Sequence, residues 1–324
     1  MPPDVLNAYR RCTLCPHQCR VDRLHGETGV CGEGATVRVA WSGLHRGEEP
    51  PISGERGSGM IFFSGCTLHC QYCQNRQISG VAPSGESVIG LELTIEELAT
   101  MMVSLQVQGA ATINLVTGTH FIPSIIEAIT MARAGGLTLD IVWNSSGFER
   151  VEALRLIDPL IDLYLIDLKT LDLAVSRRFC ATERYAQQIK AVMDFIGDRR
   201  TETALNDEGR LRGALVRHLV FPGELEATRE VLEYYARHLK SSLWLSLMVQ
   251  FESPAQDESF PPITEGEYQE LVDLVDDLGI EEGYIQELGE NVSWIPDFRR
   301  DNPFPEGFAD PLEYFLTLRR TSLR

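Results

Sequence analysis

The chain has 324 residues, 44% of them apolar, which suits one large α/β domain or two smaller ones. Its net charge of −18, from 29 basic and 47 acidic residues, argues against a nucleic-acid partner, whose phosphates need a basic surface. No apolar run approaches the roughly 20 residues of a membrane span, and the start Met-Pro-Pro-Asp-Val-Leu lacks an apolar signal core. A cytosolic protein without a membrane partner is therefore expected.

Residues 12–50 are rich in Cys, Gly, His and charge and show little periodicity, so 1–50 reads as a small metal-tied module. Gly54 to Gly59 is a breaker-rich approach to a short apolar strand, Met60 to Phe63. Helices and strands then alternate. Thr94 to Val107 reads as a helix, with Thr94 as cap and Glu96 and Glu97 suited to its first turn. Ala111–Thr117 is a strand and Ile122–Ala134 a helix with Pro123 in its first turn. Strand Leu137–Trp143, helix Glu149–Ile157 and strand Ile161–Leu168 follow. A helical stretch covers Leu171–Ile196 with a break near Thr182, and 197–213 reads as a polar loop. Strand Ala214–Phe221, helix Leu225–Leu239, strand Leu243–Val249, helix Thr264–Leu278 and strand Tyr284–Leu288 complete the series.

Apolar strands alternating with amphipathic helices predict a parallel sheet with helical crossovers. About six or seven such strands are fewer than the eight of a closed barrel, so an α/β partial (β/α) TIM-like barrel is expected over 51–298. Residues 299–324 read as a C-terminal extension.

Eight cysteines divide as four, three and one. In a reducing compartment, clustered cysteines suggest metal sites more than disulfides. Cys66, Cys70 and Cys73 follow the first barrel strand with spacing C-x3-C-x2-C. Three such thiolates can hold three corners of a 4Fe–4S cluster, leaving one iron open for chemistry. A zinc or structural cluster with a distant fourth ligand is the alternative. Cys12, Cys15, Cys19 and Cys31 supply a full tetrahedral set, fitting zinc or an auxiliary 4Fe–4S cluster. Cys180, alone on a helical stretch, reads as a packed small side chain.

Ligands of βα barrels bind at the C-terminal ends of the strands. There the chain delivers Thr117, Gly118 and Thr119, then Asn144 and Ser146, whose groups can donate and accept. Each set also reads as an ordinary turn. Asp167 and Lys169 lie two apart on an apolar strand, so they share a face, as a ligand pair or as a structural ion pair. Arg217 and His218 are adjacent, so one of them faces the interior. Gln250, Glu252, Gln286 and Glu287 add polar groups at later strand ends.

The run Ser-Gly-Cys-Thr-Leu-His-Cys-Gln-Tyr-Cys-Gln-Asn resembles the signature of the radical S-adenosylmethionine (SAM) enzymes. The runs Cys-Thr-Leu-Cys-Pro-His-Gln-Cys, Gly-Glu-Glu-Pro-Pro-Ile-Ser-Gly, Asn-Leu-Val-Thr-Gly-Thr-His, Val-Arg-His-Leu-Val-Phe-Pro-Gly and Ile-Pro-Asp-Phe resemble an uncharacterised branch related to pyruvate formate-lyase activating enzyme. The resemblance implies a partial barrel in which Cys66, Cys70 and Cys73 ligate the cluster and the Tyr72 backbone meets the adenine. It implies SAM contacts at the strand ends, including Asp167 and Lys169. The chain departs from the family's Gly-Gly-Glu stretch at Thr117–Thr119, and activating enzymes proper lack the four N-terminal cysteines.

The implied activity is reductive cleavage of SAM to a 5′-deoxyadenosyl radical that takes hydrogen from a protein or peptide, as a glycyl-radical activase does. It would draw its electron from a flavodoxin or ferredoxin. A small-molecule substrate is the second reading. The third is a non-catalytic iron–sulfur carrier or zinc-stabilised binding module.

Overall fold

The computed structural model describes residues 5–80, 88–252, 260–289 and 295–322. The first four residues, part of the N-terminal reading, and the last two of the C-terminal stretch lie outside these.

The strands are β1 (Val37–His45), β2 (Ser58–Phe63), β3 (Leu91–Leu93), β4 (Ile113–Val116), β5 (Ile141–Ser145), β6 (Leu163–Asp167), β7 (Ala204–Leu205), β8 (Leu211–Leu219), β9 (Trp244–Met248), β10 (Gly283–Ile285) and β11 (Ala309–Pro311). The α-helices are α1 (Pro50–Ser53), α2 (Ile95–Gln108), α3 (Ile122–Ala134), α4 (Val151–Ile157), α5 (Leu173–Cys180), α6 (Arg184–Arg199), α7 (Leu225–His238), α8 (Glu265–Asp277) and α9 (Glu313–Ser322).

The sheet runs in the order β10-β9-β8-β6-β5-β4-β2-β1-β11. From β2 to β10 every neighbouring pair is parallel. The order has two ends, and the expected partial barrel is what forms. Several stretches differ from the sequence reading, among them 197–213, read as a loop, which contains β7 and the start of β8. Residues 37–45, taken as part of an aperiodic module, form β1, antiparallel to β2. The C-terminal stretch adds β11 to β1 and packs α9 nearby. β1 carries buried residues on both faces, so it lacks the alternation that marks a half-exposed strand.

Local signals place the helices. Thr94 Oγ1 accepts from Glu97 N at 3.1 Å, while the Glu97 carboxylate accepts from Thr94 N at 2.8 Å. This reciprocal capping satisfies donors at the start of α2, and Gly109 at φ 95° closes its other end. Thr264 and Glu267 repeat the device at α8.

Alternate strand residues separate two apolar layers. Tyr164 and Ile166 of β6 join the large cluster that includes the helices, as do Ile141 and Trp143 of β5. Leu163, Leu165, Val142, Leu211 and Leu215 instead form a separate interior cluster around Ile52 of α1. The short helix α1 is thus a plug inside the barrel, and Thr112 Oγ1 donates to the Ile52 carbonyl at 3.2 Å. The sequence reading assigns no element to Pro50–Ser53, because a four-residue helix has no periodicity to detect.

Candidate active site

The loop after β2 carries Cys66, Cys70 and Cys73. Gly65 turns the chain there at φ 77°. A Cβ on it would sit 2.8 Å from the Cys31 carbonyl oxygen, so the position needs glycine. The turn is pinned from behind by His120, whose Nε2 donates to the Ser64 carbonyl at 2.7 Å. Burial pushes the His120 pKa down to about 3, so the ring stays neutral and holds this bond. His69 Nε2 donates to the Val30 carbonyl at 2.8 Å. His17 Nε2 donates to the Thr67 carbonyl at 2.9 Å.

The three cysteines share one cavity of about 300 Å³ with the C-terminal ends of β4, β5, β6, β8 and β9. Burial, followed by the neighbouring Cys70 thiol, pushes the Cys66 thiol up to about 11 and Cys73 to about 12. Thiolates here need a cation to hold them, as bound iron supplies. The Leu68 amide already donates to Cys66 Sγ at 3.3 Å. Among the described residues, no three Cys, His, Asp or Glu side chains converge on a point where a single metal ion would sit. An iron–sulfur cluster spreads its cysteine sulfurs wider than one ion does, and three thiols on one cavity wall fit it.

Tyr72, between Cys70 and Cys73, turns its ring into an aromatic group with centroids 5.0 Å from Phe221 and 5.5 Å from Phe251. Phe179 and Phe221 stack beneath at 4.2 Å. The Gln71 amide donates to the Phe179 carbonyl at 3.0 Å, tying the loop to the end of α5. Cys180 is buried there.

Asp167 and Lys169 both line the cavity and also pair with each other, Nζ donating to Oδ2 at 2.5 Å. The structural ion pair of the sequence reading is present, and it faces the cavity. Lys169 is 9% exposed. Its burial works against the charge, but Asp167 and then Cys70 outweigh it and hold the pKa above the usual lysine range. Tyr185 braces the pair, accepting from Lys169 N at 2.9 Å and donating to the Asp167 carbonyl at 2.7 Å.

Arg217 lines the cavity with two carboxylates beside it. Its Nε donates to Glu49 Oε1 at 3.0 Å, and Nη2 reaches both Glu48 and Glu49. Burial opposes its charge, but the two glutamates outweigh that and raise its pKa. Glu48 is pushed upward by burial, whereas Arg217 outweighs burial at Glu49 and holds it below the usual range. The Gly-Glu-Glu-Pro-Pro-Ile-Ser-Gly run carries the family resemblance, but nothing local in it assigns Glu48 or Glu49 a partner at the site.

Of the other candidates, Thr117, Asn144 and Ser146 line the cavity, Thr117 in a left-handed conformation at φ 59°. Gln250 and Glu252 line it as well. Gln74, Asn75 and Met248 do so too, without having been singled out. Thr119 does not: it is buried, and its hydroxyl donates to Glu149 Oε1 at 2.7 Å. His218 points to the helix layer, donating from Nδ1 to the Leu168 carbonyl at 2.7 Å and bonding Thr228 Oγ1 through Nε2 at 3.1 Å. Burial lowers its pKa to about 4. Gln286 stands behind Gln250, its Oε1 accepting from the Val249 and Gln250 amides at 3.0 Å. Glu287 is exposed and outside the cavity.

The N-terminal cysteines lie behind the same loop. Cys12, Cys15 and Cys31 are buried, Cys19 is half-buried, and all four are free thiols. Burial, with Cys12, Cys31 and Cys19 nearby, pushes Cys15 up to about 12. The Val30 amide donates to Cys19 Sγ at 3.4 Å.

A partial barrel whose strand ends gather three thiols and a ring of polar groups in one cavity matches an established enzyme class. The radical SAM superfamily model matches residues 60–235, and the chain belongs to that superfamily. Its members catalyse radical reactions with a 4Fe–4S cluster and SAM, and this chain is an enzyme of that class.

Among individual proteins, it is 25% identical over 265 residues to the uncharacterised protein MJ0674 of Methanocaldococcus jannaschii, covering 79% of this chain and 70% of that one. A domain of pyruvate-formate lyase-activating enzyme from Bacteroides vulgatus superposes with TM-score 0.38 at 14% identity, over 51% of this chain and 91% of that domain. Streptococcus suis SuiB bound to the precursor peptide SuiA gives 0.47 at 7% identity, over 69% and 47%. Methylornithine synthase (PylB) gives 0.46 at 12%, over 79% of each chain. None of the three superpositions bears on the substrate. No described helix is long and apolar enough to cross a membrane.

Proposed function

We propose that Cys66, Cys70 and Cys73 hold the cluster, and that the cavity beside them binds SAM and admits a hydrogen donor from a protein or peptide. A cluster held by these three thiols would supply the one electron that breaks the S–C5′ bond of SAM, giving methionine and the 5′-deoxyadenosyl radical. The chain's own residues bind, orient and exclude water. Lys169 offers a charged donor to a carboxylate, already held by Asp167 and Tyr185. Asn144 and Ser146 offer amide and hydroxyl partners to a ribose, and the backbone of Tyr72, which lines the same cavity, is proposed to meet the adenine. Arg217 is a buried cation whose position is set by Glu48 and Glu49. The observation carrying this reading is that the three thiols and these polar strand ends line one cavity. A simple electron carrier needs no such cavity.

The fourfold N-terminal thiol set is proposed to hold a second metal group, zinc or an auxiliary 4Fe–4S cluster; that no three described thiols converge on a single-ion position favours the cluster. A flavodoxin or ferredoxin is the proposed reductant, and the cytoplasm the proposed compartment. Anaerobically reconstituted, reduced protein is expected to convert SAM to 5′-deoxyadenosine, and the Cys66→Ala/Cys70→Ala/Cys73→Ala variant to make none. Intact protein that neither binds SAM nor forms this product sinks the proposal. Metal content of the same variant decides between zinc and iron at the N-terminal thiols.

A further inference from the structure

A second, larger cavity of about 690 Å³ lies outside the barrel, between the Cys15–Cys19 loop and the helices α4 and α6. Its charged lining is Arg20, Arg150 and Arg184 against Glu152 alone. Glu152 pairs with Arg150 at 3.1 Å, leaving two arginines uncompensated. Arg20 and Arg184 are exposed, and neither has an acidic partner among the described residues. On a chain of net charge −18, a groove with a cationic excess departs from the general field. The overall charge opposes the approach of an acidic protein, and the arginine excess here favours it locally.

The groove's position gives that attraction a use. Its floor is the Cys15–Cys19 loop, held open by left-handed Gln18 (φ 45°) and Arg20 (φ 60°). From that floor His17 reaches the carbonyl of Thr67, the residue between Cys66 and Leu68, both of which line the barrel cavity. The two cavities share no lining residue. A partner seated in the groove therefore meets His17, whose side chain is one hydrogen bond from the backbone of the cysteine loop.

We infer that this groove docks an acidic one-electron carrier protein, which reduces the enzyme through the Cys66–Cys73 loop. The inference rests on the proposed function, because reductive cleavage of SAM consumes one electron that the chain does not itself store. Each turnover passes one electron from the carrier, which is oxidised, to the enzyme, and from there to SAM.

The test uses full-length reconstituted protein and its Arg20→Glu/Arg184→Glu variant. Both side chains are exposed, so the variant should keep its thermal midpoint. With flavodoxin hydroquinone in low salt, stopped-flow reduction of the variant should be about tenfold slower than the parent, and salt should slow the parent but barely affect the variant. With dithionite, a small chemical reductant, the two should be reduced alike and cleave SAM alike. A titration of flavodoxin onto protein without its cluster should show the same loss of affinity. Equal flavodoxin rates and affinities in parent and variant overturn the inference. So does a variant slowed equally with dithionite, or groove binding of inorganic phosphate with no carrier binding. If dithionite gives no SAM cleavage in the parent, the functional proposal fails, while the titration still decides the surface.

Discussion

Arg217 on β8 donates from Nε to Glu49 Oε1 at 3.0 Å, joining residues 168 apart in the chain. Glu49 immediately precedes α1, the plug inside the barrel. The contact ties the plug to a strand on the far side of the interior and sets where the guanidinium stands under the cavity. Removing one member of a buried charge network leaves the others uncompensated. Glu49→Ala is expected to cost about 3 kcal/mol, at the low end for a buried pair because Glu48 remains. Urea denaturation at neutral pH checks this. A loss under about 0.5 kcal/mol would place the contact with ordinary surface ion pairs.

The plug itself should respond like a core residue. Ile52 is fully buried among Val142, Leu163, Leu165, Leu211 and Leu215. Ile52→Ala is predicted to lose about 2–5 kcal/mol, and Ile52→Val about 1 kcal/mol. Both are read from urea midpoints. Equal, negligible effects for the two would mean that the barrel closes without the plug.

Cavity lining separates residues expected to touch SAM from those expected only to hold structure. Lys169→Met should weaken SAM binding by about tenfold, the worth of one charge-assisted hydrogen bond. Thr119→Val should leave SAM affinity unchanged while lowering stability, because its hydroxyl serves the buried Glu149 carboxylate. Equilibrium dialysis against reconstituted protein measures the first effect and thermal melting the second. If Thr119→Val weakens SAM binding and Lys169→Met does not, the assignment is inverted.

Stability should fall on the acid side through buried histidines. His218 has its pKa lowered from the usual 6.5 to about 4, by burial. The native ring is neutral, so the unfolded chain binds the proton more readily. Its contribution is fully present above about pH 6.5 and is lost progressively as pH falls to about 4, at about 1.4 kcal/mol per pH unit. Urea titrations between those limits should show the slope, and His218→Gln should remove one histidine's share. A slope unchanged in that variant would assign the loss elsewhere.

The class of this protein was written in local features. Cys66, Cys70 and Cys73 declare themselves by spacing, and strands such as Leu163–Asp167 by apolar runs between helices, because neighbours in sequence are neighbours in a strand or loop. Period-two geometry alone put Asp167 and Lys169 on one face, and they share the cavity. The same alternation required one of Arg217 and His218 to point inward but could not say which. Registering β8 between β6 and β9 decided it, sending Arg217 to the cavity and His218 to the helices.

What local pattern cannot carry is a contact between distant segments. Glu48 and Glu49 have no partner until the chain folds back and Arg217 arrives beside them. Thr119 looks like a ligand-facing hydroxyl until Glu149 takes it. Residues 37–45 show no strand alternation because both faces of β1 are covered, and only its packing neighbours reveal that. The amino-acid sequence by itself determined the thiols, the barrel and the superfamily they mark. Tertiary structure decided which polar groups surround the thiols, since burial and pairing depend on residues distant in the chain, as Arg217 and Glu49, 168 apart, show.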